Sequence, residues 1–315
     1  MKKQNNGTSL SVLVTGGAGF IGSNLVEHLV RDGHSVRILD NFSLGKPENL
    51  KLVKVEVVKG DIRDYETVKN ATKGVDIIFN QAAASASPMF RDDLRNAVAA
   101  NVDGFVNLLN ACRANDVKKL VYASTSSVYG NNKPPLREDM NLLPVNFYAS
   151  TKLLNEHLAV LFSVQYGLET VGFRYMSVYG PHEKSKGIYA NLVSQFLWSM
   201  QKGEQPVIYG DGNQKREFTY VADVVQANIL AMNMKKKMGS EIFNVGTGKS
   251  VSLNGVVELL NKLLGTSIKP KYVKNTVKNY IFTQLSDITK IRKVLGYEPK
   301  YSLESGLKEI LGKGA

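Results

Sequence analysis

One cysteine (Cys112), one tryptophan and four histidines are all that the 315 residues hold of these side chains. A single cysteine excludes a disulfide framework within the chain and fits a reducing compartment, the cytoplasm. The histidines, His28, His34, His157 and His182, share no metal-ligand spacing, so no metal site is expected. No apolar run approaches the length that spans a bilayer. The polar start, Met1 to Ser9, lacks the apolar segment of a secretory signal and reads as a frayed tail. Acidic residues are in short supply, 28 Asp and Glu against 40 Lys and Arg, for a net charge of +12. The lysines are scattered, with a cluster at Lys235 to Lys237 and a looser one at Lys269, Lys271, Lys274 and Lys278. Neither cluster interleaves aromatics with arginine as a nucleic-acid groove does. The expectation is a solvated basic surface that favours encounter with a polyanionic small molecule, with no nucleic acid and no membrane as partner.

What the chain does have is a glycine turn in a telling place. Leu10 to Val14 read as a buried strand, Thr15-Gly16-Gly17 turns the chain, and Phe20 to Val30 carry helical apolar spacing to Gly33. Gly17-Ala18-Gly19-Phe20-Ile21-Gly22 therefore sits between strand and helix, where free backbone N–H groups and the positive end of the helix dipole meet a diphosphate. Val36 to Leu39 form the next strand and end on Asp40, about 20 residues beyond the glycines, placed to accept hydrogen bonds from an adenosine ribose. A carboxylate there repels a 2′-phosphate, which argues for NAD over NADP. The alternative is a tight turn whose glycines serve only helix–strand packing.

Strand-like and helix-like segments alternate through the first two-thirds, the pattern of an α/β doubly wound parallel sheet. The strands run Val53–Val58, Val75–Asn80, Lys119–Ala123 and Thr170–Arg174, and the long helices Leu94–Asn115 and Phe147–Tyr166. Residues at the carboxyl ends of such strands face one crevice, so Asp40, Asp61, Ala82 to Ala84 and Ser124 to Ser127 should converge. Beyond Gly180-Pro181 the rhythm breaks. We expect residues 1–175 to form the dinucleotide-binding unit, with 213–245 returning to it, and 176–212 plus 246–315 to form a smaller C-terminal substrate-binding unit.

Tyr148 and Lys152 stand four apart on a helix, on one face and within reach of each other. An ammonium beside a phenol stabilises the phenolate, which suits Tyr148 to general-base work with Lys152 as its electrostatic partner. Thr125, at a strand end aimed at the same crevice, could hydrogen-bond a substrate oxygen and relay a proton. A chance surface pair and a polar turn are the plainer readings of these residues taken alone.

Together they resemble the extended short-chain dehydrogenase/reductases, and within them the nucleotide-sugar epimerases and dehydratases. The matching pieces stand in family order: Thr15-Gly16-Gly17-Ala18-Gly19-Phe20-Ile21-Gly22, Leu39-Asp40-Asn41, Gly60-Asp61-Ile62, Asn101-Val102-Asp103-Gly104, Ser124-Thr125-Ser126-Ser127 and Tyr148-x-x-x-Lys152. Arg174-Tyr175, Val178-Tyr179-Gly180-Pro181, Gly210-Asp211-Gly212, Arg216-Glu217-Phe218 and Asn244-Val245-Gly246 follow. The resemblance implies a Rossmann sheet and catalysis by Thr125, Tyr148 and Lys152. It implies NAD held by Gly16, Gly19, Phe20, Ile21, Gly22, Asp40, Asn41, Asp61, Ile62, Ala82, Ala83, Asn101, Ser124, Tyr148, Lys152 and Tyr175. It implies a nucleotide-diphosphate sugar, a UDP-sugar above all, met by Thr125, Ser126, Ser177, Asn191, Tyr209, Arg216 and Lys278.

Dehydratases resembling this chain carry Thr-Asp-Glu where Thr125-Ser126-Ser127 stands, and the decarboxylases carry Thr-Ser-Glu. Without that carboxylate the resemblance implies a 4-epimerase, acting on UDP-glucose/UDP-galactose or their N-acetyl forms through a transient 4-keto sugar while NAD is reduced and reoxidised in place. The cationic nicotinamide and Lys152 together would lower the Tyr148 pKa. Met176-Ser177 replaces the usual Phe-Asn, and Lys278-Asn279-Tyr280 replaces an Arg-x-Gly-Asp-like stretch, so base and sugar stay open. Other reactions on this scaffold (dehydration, 3,5-epimerisation, reduction) and a non-catalytic dinucleotide sensor remain alternatives. The two long helices, apolar beyond the needs of one sheet face, imply a homodimer.

Overall fold

Alternation along the strands decides which layer each side chain serves. In β1 (Ser11–Thr15), Val12 and Val14 point into one hydrophobic core and Leu13 into the other, all three fully buried. A strand covered on both faces by helices belongs to a parallel sheet.

The computed structural model describes residues 9–276 and 280–313. After β1 come α1 (Phe20–Arg31), β2 (Ser35–Asp40), β3 (Glu56–Lys59), α2 (Tyr65–Ala71), β4 (Ile77–Asn80), α3 (Ser87–Asp92), α4 (Leu94–Asn101), α5 (Asp103–Ala114) and β5 (Lys119–Thr125). Next are α6 (Phe147–Tyr166), β6 (Glu169–Tyr175), β7 (Ser177–Tyr179), α7 (Leu192–Gln201), β8 (Val207–Tyr209), β9 (Lys215–Arg216), β10 (Phe218–Tyr220) and α8 (Val221–Asn233). The chain continues through β11 (Ser240–Val245), β12 (Val251–Ser252), α9 (Leu253–Leu264), β13 (Lys271–Val273), α10 (Thr289–Leu295) and α11 (Leu303–Ile310).

Seven strands form one parallel sheet in the order β3-β2-β1-β4-β5-β6-β11. Helices α1, α8 and α10 cover one face; α2, α5 and α6 cover the other. The strand order reverses between β1 and β4, the switch point where a ligand crevice opens in such sheets. This is the doubly wound Rossmann architecture expected from the alternation. No helix is long and apolar enough to cross a membrane among the described residues.

Two readings of the sequence shift. The stretch Leu94–Asn115 is two helices, broken at Val102. At the break the Asn101 carbonyl accepts a hydrogen bond from Asn155 Nδ2 of α6 (2.9 Å), a tertiary contact that local periodicity does not reveal. The strand expected at Val53–Val58 starts later, at Glu56.

A separate core is built from α7, α9, Leu307 of α11, Ile208 of β8 and Phe218 and Tyr220 of β10. The cores interleave further than the division into 1–175 with 213–245 and 176–212 with 246–315: Phe218 and Tyr220 join the separate core. Ile288, Ile291, Leu295 and Tyr297, from the C-terminal stretch, pack into the first core beside α8. Glu217 joins the parts. Fully buried, its Oε1 accepts from Thr247 N (2.6 Å), Gly248 N (2.8 Å) and Ser286 Oγ (2.8 Å), and its other oxygen from Ser286 N. Gly246 is glycine for the same reason, because a Cβ would collide with Glu217 Oε1.

Glu217→Ala strands these buried donors. With hydrogen bonds to charged groups worth about 1.5–3 kcal/mol each, the variant should lose at least ~3 kcal/mol in urea unfolding, while an exposed control such as Glu298→Ala stays near wild type.

Candidate active site

The turn after β1 is shaped by close approach. Gly16 takes φ of 67°, and a side chain on it would meet the Ala82 backbone at 2.7 Å. Gly16 N donates to Leu39 O (2.8 Å) and Gly19 N to Gly16 O (3.0 Å), locking the turn against β2. Helix α1 then begins with no side-chain cap on Gly19 and no acid in its first turn. Its positive end is left open to a cavity of about 430 Å³. The walls include Gly16, Gly19, Phe20, Ile21, Gly22, Asp40, Asn41, Asp61, Ile62, Ala82 and Ala83, so the predicted cofactor residues at the ends of β1, β2, β3 and β4 do meet. An uncapped helix start facing a cavity fits a dinucleotide diphosphate.

The acids of this cavity differ in state. Asp40 is buried, and burial pushes its pKa up against hydrogen bonds from Phe42 N (2.8 Å) and Ala18 N (2.9 Å). Asp61 is gripped by Arg63 through Nε (2.9 Å) and Nη2 (2.8 Å), which with Asn41 brings its pKa down to about 2. Arg63, Gln81, Ser185 and Lys186 also line the cavity. The sequence reading did not single them out, and none carries a local motif.

Five predicted cofactor residues lie behind this wall rather than in it. Asn101 clamps the loop after β4 to α6: its amide exchanges hydrogen bonds with Ala84 N (2.8 Å) and Ala84 O (3.2 Å) and donates to Thr151 Oγ1 (3.0 Å). Tyr175 Oη accepts from Gln81 Nε2 (3.2 Å) and Asn228 Nδ2 (2.9 Å), orienting the cavity glutamine from beneath. Ser124 donates to Glu156 instead of facing the cavity. The remaining two, Tyr148 and Lys152, form the reactive cluster next to it.

Helix α6 is started by Asn146, whose side chain accepts from Ala149 N (2.9 Å), so Tyr148 falls in the first turn. The half-buried Tyr148 ring packs on Phe90 (centroids 5.9 Å apart) in a small cluster with Ala84 and Met89, both cavity residues. Burial pushes the Tyr148 pKa up, opposed by a hydrogen bond with Thr125. One turn later Lys152 is almost fully buried and donates to Ala123 O (2.9 Å). Desolvation draws its pKa down to about 8, against the pull of Glu156. Thr125, at the end of β5, accepts from Ser127 N (3.2 Å). Tyr148, Lys152 and Thr125 are thus gathered at the carboxyl end of β5.

Glu156, the carboxylate nearest Lys152 in the helix, is already committed. Its Oε1 accepts from Arg174 Nε (3.0 Å) and its Oε2 from Arg174 Nη2 (2.7 Å), both side chains 4% exposed. Arg174 Nη1 donates in turn to Tyr129 Oη (2.9 Å), which donates to Asn244 Oδ1 (2.7 Å).

The predicted substrate residues are distributed less evenly. Gln284 ties two of them together, donating from Nε2 to Ser126 Oγ and accepting from Ser177 Oγ (3.0 Å). Arg216 donates to Lys215 O (2.9 Å) and Phe282 O (3.2 Å) and lies over Tyr280 (5.1 Å); burial lowers its pKa. Asn191 caps α7, accepting from Val193 N (3.2 Å) and donating to Val178 O (3.1 Å), so its amide is already engaged. Tyr209 is half exposed on β8, and Lys278 lies outside the described residues.

The model of the NAD dependent epimerase/dehydratase family matches residues 12–246. A putative UDP-glucose 4-epimerase of Methanocaldococcus jannaschii is 36% identical over 309 residues, 95% of this chain and 97% of its own. The structure of a UDP-glucose 4-epimerase of Thermotoga maritima with UDP-glucose superposes with a TM-score of 0.91 at 34% identity, covering 96% of this chain and 98% of that one. A UDP-glucuronic acid 4-epimerase of Bacillus cereus, in complex with UDP-glucuronic acid and NAD, gives 0.88 at 28% identity, over 96% and 98%. With its glycine turn, its Tyr148–Lys152 pair and its seven-stranded parallel sheet, this chain belongs to the NAD dependent epimerase/dehydratase family.

Proposed function

We propose that the chain is a cytoplasmic, NAD-dependent UDP-sugar 4-epimerase acting as a homodimer, with UDP-glucose and UDP-galactose, or their N-acetyl forms, as substrates. The observation that carries this is the composition of the reactive cluster. A tyrosine, a threonine and a buried lysine meet at the end of β5, and the carboxylate facing them, Glu156, is spent on Arg174 and Ser124. Dehydration needs an acid free to protonate a leaving hydroxyl; inversion at C4 does not. The buried Cys112, its thiol pushed up to about 12 by burial, fits a reducing cytoplasm.

Tyr148 Oη takes the proton of the C4 hydroxyl, with Thr125 Oγ1 steering that hydroxyl toward it. Lys152 holds positive charge near the developing phenolate, and its burial makes that charge act through a low dielectric. NAD, when bound in the cavity, would supply the hydride acceptor for C4 and, once the 4-keto sugar has turned over, the hydride donor to its other face. Tyr148 gives the proton back on re-reduction, so the cycle leaves no net redox change. Ser126 and Ser177, joined through Gln284, and Arg216 are proposed as the substrate side of the crevice, with Lys278.

Exposed apolar side chains on α6 support the dimer: Phe147, Leu154 and Leu161 recur every seventh residue along one face of the helix, and a monomer would leave them in water.

NMR of the purified protein with UDP-glucose, UDP-galactose, their N-acetyl forms and UDP-glucuronate, without added cofactor, should show the C4 epimer of at least one. Tyr148→Phe should cut the rate by about 10²–10⁴-fold; unchanged turnover in that variant would sink the mechanism. Burial draws the Lys152 pKa down to about 8, so its charge is present below that pH and lost above it. The kcat should fall as pH rises through that range, and Lys152→Met should remove this alkaline limb from the kcat–pH profile. Light scattering should report a dimer for the parent protein and a monomer for Leu161→Glu.

A further inference from the structure

The segment following β7 contributes to the wall of the cavity at the start of α1 and is pinned at both sides. On the α1 side, Asn24 Nδ2 donates to Pro181 O (3.1 Å), and His182 meets Glu27 (3.2 Å) and Asn49 (3.2 Å). On the α3 side, Tyr189 Oη donates to Asp92 Oδ2 (2.8 Å). Between these anchors Ser185 and Lys186 join the wall that contains Gly19, Phe20 and Ile21.

Lys186 is conspicuous by charge. Arg63, the other cation in that wall, is committed to Asp61. Glu183, the acid that acts on Lys186, is buried and spends its oxygens on Asn191 N (2.6 Å) and Ser194 Oγ (2.5 Å). No hydrogen bond or ion pair engages the Lys186 ammonium among the described residues. A partly desolvated ammonium without a bonded anion is costly. The same cavity holds an uncapped helix start, whose N–H groups and dipole carry only about half a charge, whereas a dinucleotide diphosphate carries two.

We propose that Lys186 is the cation that pairs with the diphosphate of bound NAD, closing the cofactor cavity from the outer strap while the glycine turn holds the same group from beneath. The strap thereby couples the dinucleotide to the start of α7, because Glu183, three residues before Lys186, receives Asn191 N and Ser194 Oγ.

The test uses full-length protein stripped of nucleotide, with NAD, ADP and adenosine titrated calorimetrically in the absence of any sugar nucleotide, so that it is independent of the epimerase reading. Lys186→Gln should weaken NAD and ADP by about tenfold or more, flatten the salt dependence of their binding, and leave adenosine unchanged. Lys186→Arg should bind NAD and ADP within a few-fold of the parent protein. Thermal melting of the nucleotide-free variants separates a folding defect from a binding one. Parent-like NAD and ADP affinity in a folded Lys186→Gln would overturn the proposal, most plainly if the KM for the sugar nucleotide rose instead. An equal loss for adenosine would overturn it too, since the effect would not lie at the phosphates.

Discussion

The buried ion pair between Arg174 on β6 and Glu156 on α6 is the constraint on which the site rests. Charges removed from water are tolerated only with close, multiply bonded partners, and here both oxygens of Glu156 are taken by one guanidinium. That two-point contact fixes the rotation and height of α6 against the sheet. Lys152 and Tyr148, one and two turns earlier, have their positions over β5 set by it. The pair also keeps Glu156 from becoming an acid or base in its own right, so the reactive cluster contains a phenol, a hydroxyl and an ammonium but no available carboxylate. Arg174 extends the same order to Tyr129 and Asn244, linking α6, the turn after β5 and β11 through one polar chain.

What the sequence made legible was what local chemistry decides. The glycine turn needs Gly16 because Ala82 passes too close for a side chain, and the turn together with the helix behind it is written in consecutive residues. Tyr148 and Lys152 share a helix, so their neighbourhood follows from spacing alone. The rest depends on partners far along the chain. Asn155 reaches the Asn101 carbonyl beside the break at Val102, Gln284 reaches Ser126 across 158 positions, and Tyr189 finds Asp92 across 97. The Asn191 amide caps α7, a use that the same residue type serves as readily as ligand binding and that local sequence does not distinguish from it.

The proposed substrate side of the crevice is built differently from the glycine-turn side. The glycine turn presents backbone groups fixed by the sheet, whereas Ser126, Ser177 and Gln284 present side chains fixed by one another. Related chains of this fold act on different sugars. A wall made of interlocking side chains accommodates such change by single substitutions, without disturbing the strand ends beneath.

The path of β11 has a consequence for dissecting the molecule. This strand pairs with β6 along its whole length but comes from residues 240–245, after the chain has left for the second core and returned. A fragment ending at 175 would leave β6 as a bare edge with its backbone donors and acceptors exposed, an invitation to sheet extension between molecules. It would also remove Asn244 from the Tyr129–Arg174 chain. The two cores are therefore not modules that can be cut apart or exchanged by a single splice; the chain is woven through both.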